Sequence, residues 1–454
     1  MKIGLLPLGR PTFDVPYAVE RLAAMLSALE ATGAEITGPR DLLMDGNATQ
    51  EALQALGTEA IDLLLVLQVT FTDAAAIVEA ANVLPETRLA IWAVPEPRLG
   101  GRLRLNAFCG LNLASHALGL SGRSFGWLYA NPEGDVAEDL AELLAGQRES
   151  GDVATRPATP GQGPVPDLSG KRIGRIGEHP VGFDTCKYDK SGLQSLLGID
   201  VTELELADLF KAARRAPAPT EARELAEQAV SDLDDVDAEE LDRSLRLKLA
   251  LDEVKASGDF DAFAIRCWPE TFTEYGGAIC GPVSMMGEAR VPCACEADVY
   301  GAATQLLLQA VADAPVFLVD LVDVDPNDGT GVVWHCGQAP ISMRDPEADA
   351  TATIHTNRKM PLLYQFPLKP GAVTFARISQ AKGRHTLVIG KGEMLRRPLA
   401  FTGTSGVVAL EDASGTLNRV IDSGLEHHTA LAYGDHRAGL EAAAAKFGLE
   451  IIEL

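Results

Sequence analysis

Long apolar runs are missing from this chain. None reaches the roughly 18 residues that a membrane-spanning helix requires, so no transmembrane segment is expected. The opening MKIGLLPLGRPTFD is too briefly apolar for a secretory signal and breaks at once into Gly, Arg and Pro, which predicts a first strand instead. Positive charge is also scarce: 39 Lys and Arg stand against 64 Asp and Glu, a formal net charge of −25. Little is left to neutralise phosphates, which argues against nucleic acid and against an anionic membrane surface as partners. Cysteines number 7, an odd count scattered through apolar segments, so reduced, buried thiols in a cytoplasmic protein are expected. Cys293-x-Cys295 has no second pair at zinc spacing. There is no GxGxxG and no GxxxxGK[ST] to support nucleotide binding, and no G-x-S-x-G elbow to support a Ser–His–Asp hydrolase.

What is present reads as a large soluble protein. At 454 residues, with 46% hydrophobic and 23% charged content, about three domains are expected. Residues 1–150 alternate apolar runs with helical periodicity: KIGLLPL precedes a helix over 16–32, IDLLLVLQV one over 73–82, RLAIWAV one near 112–120, and FGWLYA one over 136–146. That alternation predicts a parallel sheet covered on both faces. Arg10, Gln68 to Thr72 and Glu96 follow strand C-termini, where open α/β sheets place ligands. Residues 151–170, rich in Pro and Gly, read as a linker. A second α/β domain follows over 171–312, with helices over 201–215 and 221–258. Alternating charge in the latter predicts a solvated face. The strand FDAFAIRCWPE then delivers Arg266, Cys267, Trp268 and Glu270 at its end, and YGGAICGPVSMMGE reads as a Gly-containing helix. Residues 313–454 are expected to be mostly β. KPGAVTFARISQAKGRHTLVIGKGEML alternates as a hairpin, SGVVAL and LNRVIDSG read as short strands, and a helix ended by Gly448 leads to a terminal strand.

The chemistry concentrates between Val291 and Gln338. Glu296 stands where a strand hands over to a helix, Asp320 lies inside PVFLVDLVDV, and His335 interrupts GVVWHCG. A carboxylate inside an apolar strand is expensive unless something binds it. Each residue has a plain structural reading: Glu296 against a helix dipole, Asp320 accepting backbone hydrogen bonds, His335 satisfied in a core, His427-His428 as an exposed pair. Together they form a set of hard and borderline ligands suited to Mn²⁺, Mg²⁺ or Co²⁺.

The order LGRPTFD, GLNLASHAL after IWAVPEP, CEADVYGAATQ, FLVDLVD, WHCGQAP, GAVTFARIS and GLEHHT resembles the L-fucose isomerase / L-arabinose isomerase superfamily over essentially the whole chain. The resemblance implies two Rossmann-like α/β domains followed by a mostly β C-terminal domain. It also implies a divalent ion, Mn²⁺ foremost, and interconversion of an aldose and a ketose through an enediol. On it, Glu296 and Asp320 are both metal ligands and proton-transfer groups, and Asp at the second position favours the fucose type. His428 is the C-terminal metal ligand and His335 an additional active-site histidine; Trp268, at the end of its strand, and His427, beside His428, are expected to bind the sugar as well. Arg10 and Trp92 match positions that reach a neighbouring subunit's substrate, so a homo-oligomer, trimer or hexamer, is implied, with Arg10, Trp92 and His116 near a neighbour's site.

Independent chemistry agrees. Moving a proton between C1 and C2 needs a base and an acid on one face of the enediol, and two carboxylates in different environments can divide those roles. A non-catalytic sugar-binding or sensing protein would use the same kind of cleft but has no need of the carboxylate pair. His355, Arg358 and Lys359 form a basic cluster in a strongly acidic chain: either surface decoration or the selector of an anionic sugar.

Overall fold

The computed structural model describes residues 1–152, 154–160 and 165–454. The run IGLLPL, residues 3–8, can be apolar at every position because both faces of its sheet are covered. Lys2–Leu8 (β1), Glu35–Thr37 (β2), Leu63–Gln68 (β3), Arg88–Ala93 (β4) and Gly126–Tyr129 (β5) form a parallel sheet in the order β2-β1-β3-β4-β5. Its first helix, Val15–Ala31, starts where the Asp14 side chain accepts the Tyr17 N–H at 3.3 Å and Pro16 fills the first turn. The helix Ala107–Ser121 begins five residues earlier than its periodicity suggested and is buried from Ala107 to Leu118. It is wedged between the first sheet and the C-terminal domain, so the polar face that normally marks a surface helix is missing.

The second sheet is parallel too: Arg172–Ile176 (β6), Asp200–Leu204 (β7), Ala262–Ile265 (β8) and Cys293–Ala294 (β9), in the order β7-β6-β8-β9. The stretch expected as one helix over 201–215 is therefore a strand, β7, followed by the helix Leu206–Arg215. Pairing with β6 overrides the weak helical pattern of DVTEL. The expected 221–258 helix is two, Thr220–Ala229 and Ala238–Gly258; the second is capped by Asp237, whose carboxylate accepts from Glu239 at 3.1 Å and Glu240 at 2.9 Å. Of the expected 151–170 linker, residues 153 and 161–164 lie outside the described residues. Arg156 is strapped to the C-terminal domain by ion pairs to Glu441 and Glu453.

The C-terminal domain is built on Phe317–Asp325 (β10), Thr330–His335 (β11), Thr351–Thr353 (β12), Leu363–Pro367 (β13), Gly371–Ser379 (β14), Thr386–Leu395 (β15), Thr404–Ala409 (β16), His428–Tyr433 (β17) and Glu450–Glu453 (β18). Its nine strands run β12-β13-β16-β11-β10-β17-β14-β15-β18, and a β15–β16 pairing closes the central strands into an antiparallel barrel. The predicted hairpin is β14–β15, in register from Gly371↔Met394 to Ser379↔Thr386. LNRVIDSG is not a strand: Ala413–Asp422 is a helix, capped by Asp412 and burying Leu417, Val420 and Ile421 at helical spacing.

Alternation along β10 positions the site. Phe317 and Val319 belong to the core cluster that holds Val333, Phe375, Val408 and Leu431. Leu318 packs with the second domain's core and Val322 with the first domain's. Asp320 lies between Leu318 and Val322 on that same strand face, where all three units meet.

Candidate active site

Asp320 on β10 stands directly opposite His428 on β17, so their side chains share a face. His428 Nε2 is 3.5 Å from Asp320 Oδ1. Glu296 arrives from the second domain, just past β9, at the strand C-terminal edge where α/β sheets bind ligands. Glu296 and Ala297 both adopt left-handed backbone, φ 58° and 55°. Such strain costs of order 1–3 kcal/mol per residue and is characteristic of functional sites. It separates Glu296 from the helix Val299–Ala312, which is capped by Asp298 instead; Glu296 is therefore not an acid placed to satisfy a helix dipole.

Every oxygen of Glu296 is held. Trp268 Nε1–H donates to Oε1 at 2.9 Å, and His427 Nε2 lies 3.0 Å from Oε2, with His428 Nε2 at 3.8 Å. Behind them runs a buried polar chain. Asp298 accepts the Gly301 N–H at 2.8 Å and Arg377 at 3.1 Å, and its Oδ2 lies 3.0 Å from His428 Nδ1. Arg377 also approaches Glu426 at 3.8 Å.

These contacts set the charges. Burial pushes the Asp298 carboxyl up, but the Arg377 charge and the His428 hydrogen bond outweigh it and hold Asp298 well below the usual carboxylate range. Asp298 is thus an acceptor only, so His428 Nδ1 carries the hydrogen and Nε2 presents its lone pair to Glu296 and Asp320. Burial and the neighbouring His427 lower the His428 pKa, which keeps the ring neutral. Burial also pushes Glu296 up, yet His427, His428 and Trp268 bring it below its ordinary value. Asp320 goes the other way, pushed up to about 6 by burial with only partial relief from His335 and His428.

The donor set fits a divalent cation. Asp320 Oδ1 is buried with no hydrogen-bond partner, and the ligand atoms of Asp320, His335 and His428 lie within 4.8 Å of one another. A second such group joins Cys186, Glu296, His427 and His428, with His428 common to both. Burial raises the Cys186 thiol well above its usual range, so it stays protonated and is a poor ligand. His335 Nδ1 accepts the Cys336 N–H at 2.9 Å, which makes Nε2 an N–H donor rather than a lone pair for a metal. With Cys186 and His335 set aside, Glu296 and His427 remain in one group and Asp320 in the other, and His428 joins the two.

These groups open into a cleft of about 880 Å³, its mouth included, walled by Phe13, Phe71, Phe183 and Trp334. Arg10, Trp268, Glu296, Asp320, His335 and His427 all line it, with His428 buried beside them. His355 and Arg358 line it as well, while Lys359 is exposed outside. Two expectations are corrected. Trp92 is wholly buried in β4, its N–H donating to Ala130 O at 3.0 Å, and His116 is wholly buried with Nδ1 2.8 Å from Gly424 O. Neither side chain can reach a sugar or a neighbouring subunit; the central strand and the wedged helix enclose them. Arg10 reaches the cleft of its own chain.

Asp298, Arg377 and Glu426 were not anticipated. Arg377 carried the same signal as Asp320, a charge inside an apolar strand (VTFARIS), and Asp298 carried that of a helix cap.

The relationships of the chain agree with this architecture. Residues 4–149 match the N-terminal domain of fucose/sulfoquinovose isomerases, and residues 333–454 match the C-terminal domain of L-fucose isomerase. The chain is 31% identical over 434 residues to the sulfoquinovose isomerase of Priestia aryabhattai, covering 94% of both proteins. It is 30% identical over 454 residues to that of Alkalicoccus urumqiensis, covering 99% of this chain and 98% of the relative. To that of Clostridium sp. strain MSTE9 it is 29% identical over 460 residues, again covering 99% and 98%. These likenesses favour catalysis over mere sugar binding, and the chain belongs to the fucose isomerase-like superfamily as a sugar isomerase that interconverts aldose and ketose.

Proposed function

We propose that this enzyme converts an anionic aldose of the sulfoquinovose type, a 6-deoxy-6-sulfo hexose, into its 2-ketose through an enediol, with a divalent ion held by Glu296, Asp320 and His428. The observation that carries it is the convergence on His428: Nδ1 is committed to Asp298, and Nε2 faces Glu296 at 3.8 Å and Asp320 at 3.5 Å. Mn²⁺ is the first candidate and Mg²⁺ or Co²⁺ the alternatives, since two carboxylates and one imidazole suit such ions better than thiolate metals. The ion supplies electrostatic stabilisation for the negative charge that develops as the C2 proton leaves.

The chain's own groups divide the remaining work. Glu296, held ionised by Trp268 and His427, takes the C2 proton of the open-chain aldose and, after partial exchange with solvent, delivers a proton to C1. Asp320 faces the same space and serves the O1 and O2 protons, its environment distinct from that of Glu296. His335 offers Nε2–H to a sugar oxygen. A homo-oligomer belongs to this reading on the superfamily resemblance alone.

The test is a substrate panel. Protein stripped by chelation is supplied with Mn²⁺, Mg²⁺ or Co²⁺ and offered sulfoquinovose, 6-deoxyglucose, L-fucose and L-arabinose, reading ketose formation. Sulfoquinovose is expected to be turned over best, and only with metal. Preference for a neutral sugar, or undiminished turnover in the stripped protein, would overturn the proposal.

A further inference from the structure

Two guanidiniums lie against one indole. The Arg10 guanidinium carbon is 5.5 Å from the Trp268 ring centroid and that of Arg358 is 5.7 Å from it. The same indole gives its N–H to Glu296 at 2.9 Å. Arg10 has one acidic neighbour, Asp73 at 3.5 Å. Among the described residues no Asp or Glu pairs with Arg358, although acids outnumber bases 64 to 39 in this chain. Arg358 is half-buried, and burial together with the charge of Arg10 lowers its pKa. Asp73 offsets only one of these two like charges at the cleft, and an anion between the guanidiniums relieves the repulsion left on Arg358.

Their spacing is fixed by a third arginine. Arg102 donates to Thr12 O at 2.9 Å and to Asn357 Oδ1 at 3.1 Å, clasping the loop that carries Arg10 to the loop that carries Arg358. His355 Nδ1 accepts the N–H groups of Asn357 at 3.2 Å and Arg358 at 3.3 Å, which shapes the second loop.

We infer that Arg10 and Arg358 form the receptor for a terminal tetrahedral oxyanion of the sugar, held one indole's reach from Glu296 so that the other end of the molecule lies at the proton-transfer groups. This rests on the isomerase reading above and deepens it by assigning the residues that select the anion. Arg358 and Arg10 are binding residues, and Arg102 positions them. Sulfonate and phosphate monoester share the required chemistry, two or three acceptor oxygens for planar guanidinium forks. The site's modest count of unpaired positive charge and the relatives named for sulfoquinovose favour the sulfonate.

The experiment compares wild type with Arg358→Gln, Arg358→Lys and Arg10→Gln on sulfoquinovose and on 6-deoxyglucose. Arg358→Gln is expected to lower kcat/KM for sulfoquinovose about 100-fold, chiefly through KM, as the loss of charge-assisted hydrogen bonds predicts. The loss on 6-deoxyglucose should be far smaller, so the preference collapses, and Lys should restore part of it. Equal losses on both sugars, or none, would overturn the assignment while leaving the isomerase reading intact. If wild type converts no aldose at all, it is the isomerase reading that fails. Calorimetric binding of the 6-sulfo and 6-phospho alditols, which cannot isomerise, still decides the receptor. Tight binding of the sulfo alditol that is lost in Arg358→Gln supports it; binding indifferent to the substitution refutes it, and tighter binding of the phospho alditol refutes the sulfonate.

Discussion

His428 commits Nδ1 to Asp298 at 3.0 Å, and that bond turns Nε2 toward Glu296 and Asp320. Asp298 does not line the cleft, yet it fixes both the tautomer and the orientation of His428. Asp298→Asn is expected to weaken metal binding about 10–100-fold, the usual effect of losing a carboxylate behind a ligating imidazole. Competition with a fluorescent chelator measures it; unchanged affinity would mean that His428 is oriented by packing alone.

The same carboxylate links the site to acid stability. Its folded pKa lies below the ordinary 3.8, so the folded state is favoured when Asp298 is ionised. That contribution is present above the unfolded pKa and is lost as pH falls below it. Thermal melts from neutral pH down to about pH 3 should show wild type losing stability more steeply below about pH 4 than Asp298→Asn. Parallel curves would remove Asp298 from the account.

Asp320 predicts a different pH dependence. Burial pushes its carboxyl up to about 6, and the group would have to be ionised to hold an ion. Metal affinity should therefore fall as pH drops through 6, and binding near that pH should release about one proton, read as a buffer-dependent heat in calorimetry. A flat affinity between pH 5 and 7 contradicts the ligand role of Asp320.

Trp92 is a core residue, and its substitution should read as a stability effect. Trp92→Ala is expected to cost about 3–5 kcal/mol. Trp92→Phe should leave KM and kcat of the folded protein nearly unchanged. A selective rise in KM with Trp92→Phe would return Trp92 to the substrate.

Why some of this was legible in sequence and some was not follows from the kind of signal each feature carries. Asp320 stands out because a charge inside an apolar strand needs a reason, and its pairing with His428 follows from β register. The β14–β15 hairpin is written in period two. The strand β7 was hidden because DVTEL is short and runs straight into a strong helix, and the helix Ala413–Asp422 because VI looks like strand once the Asp412 cap is overlooked. Trp92 was misplaced because a motif match ignores burial: an aromatic in a central parallel strand belongs to the core. Arg10 and Arg358 come to one indole from positions about three-quarters of the chain apart, a proximity that no local periodicity encodes.

The central claim is that Glu296 moves a proton between C2 and C1 of a bound sugar. The direct measurement is NMR of sulfoquinovose with Mn²⁺-loaded protein in D₂O, comparing wild type with Glu296→Gln. Wild type should form the ketose and incorporate solvent deuterium at C1 of the ketose and, on reversal, at C2 of the aldose. Glu296→Gln should slow both by about 10²–10⁴-fold, the range for loss of a general base. Ketose formed by Glu296→Gln at the wild-type rate would contradict the claim.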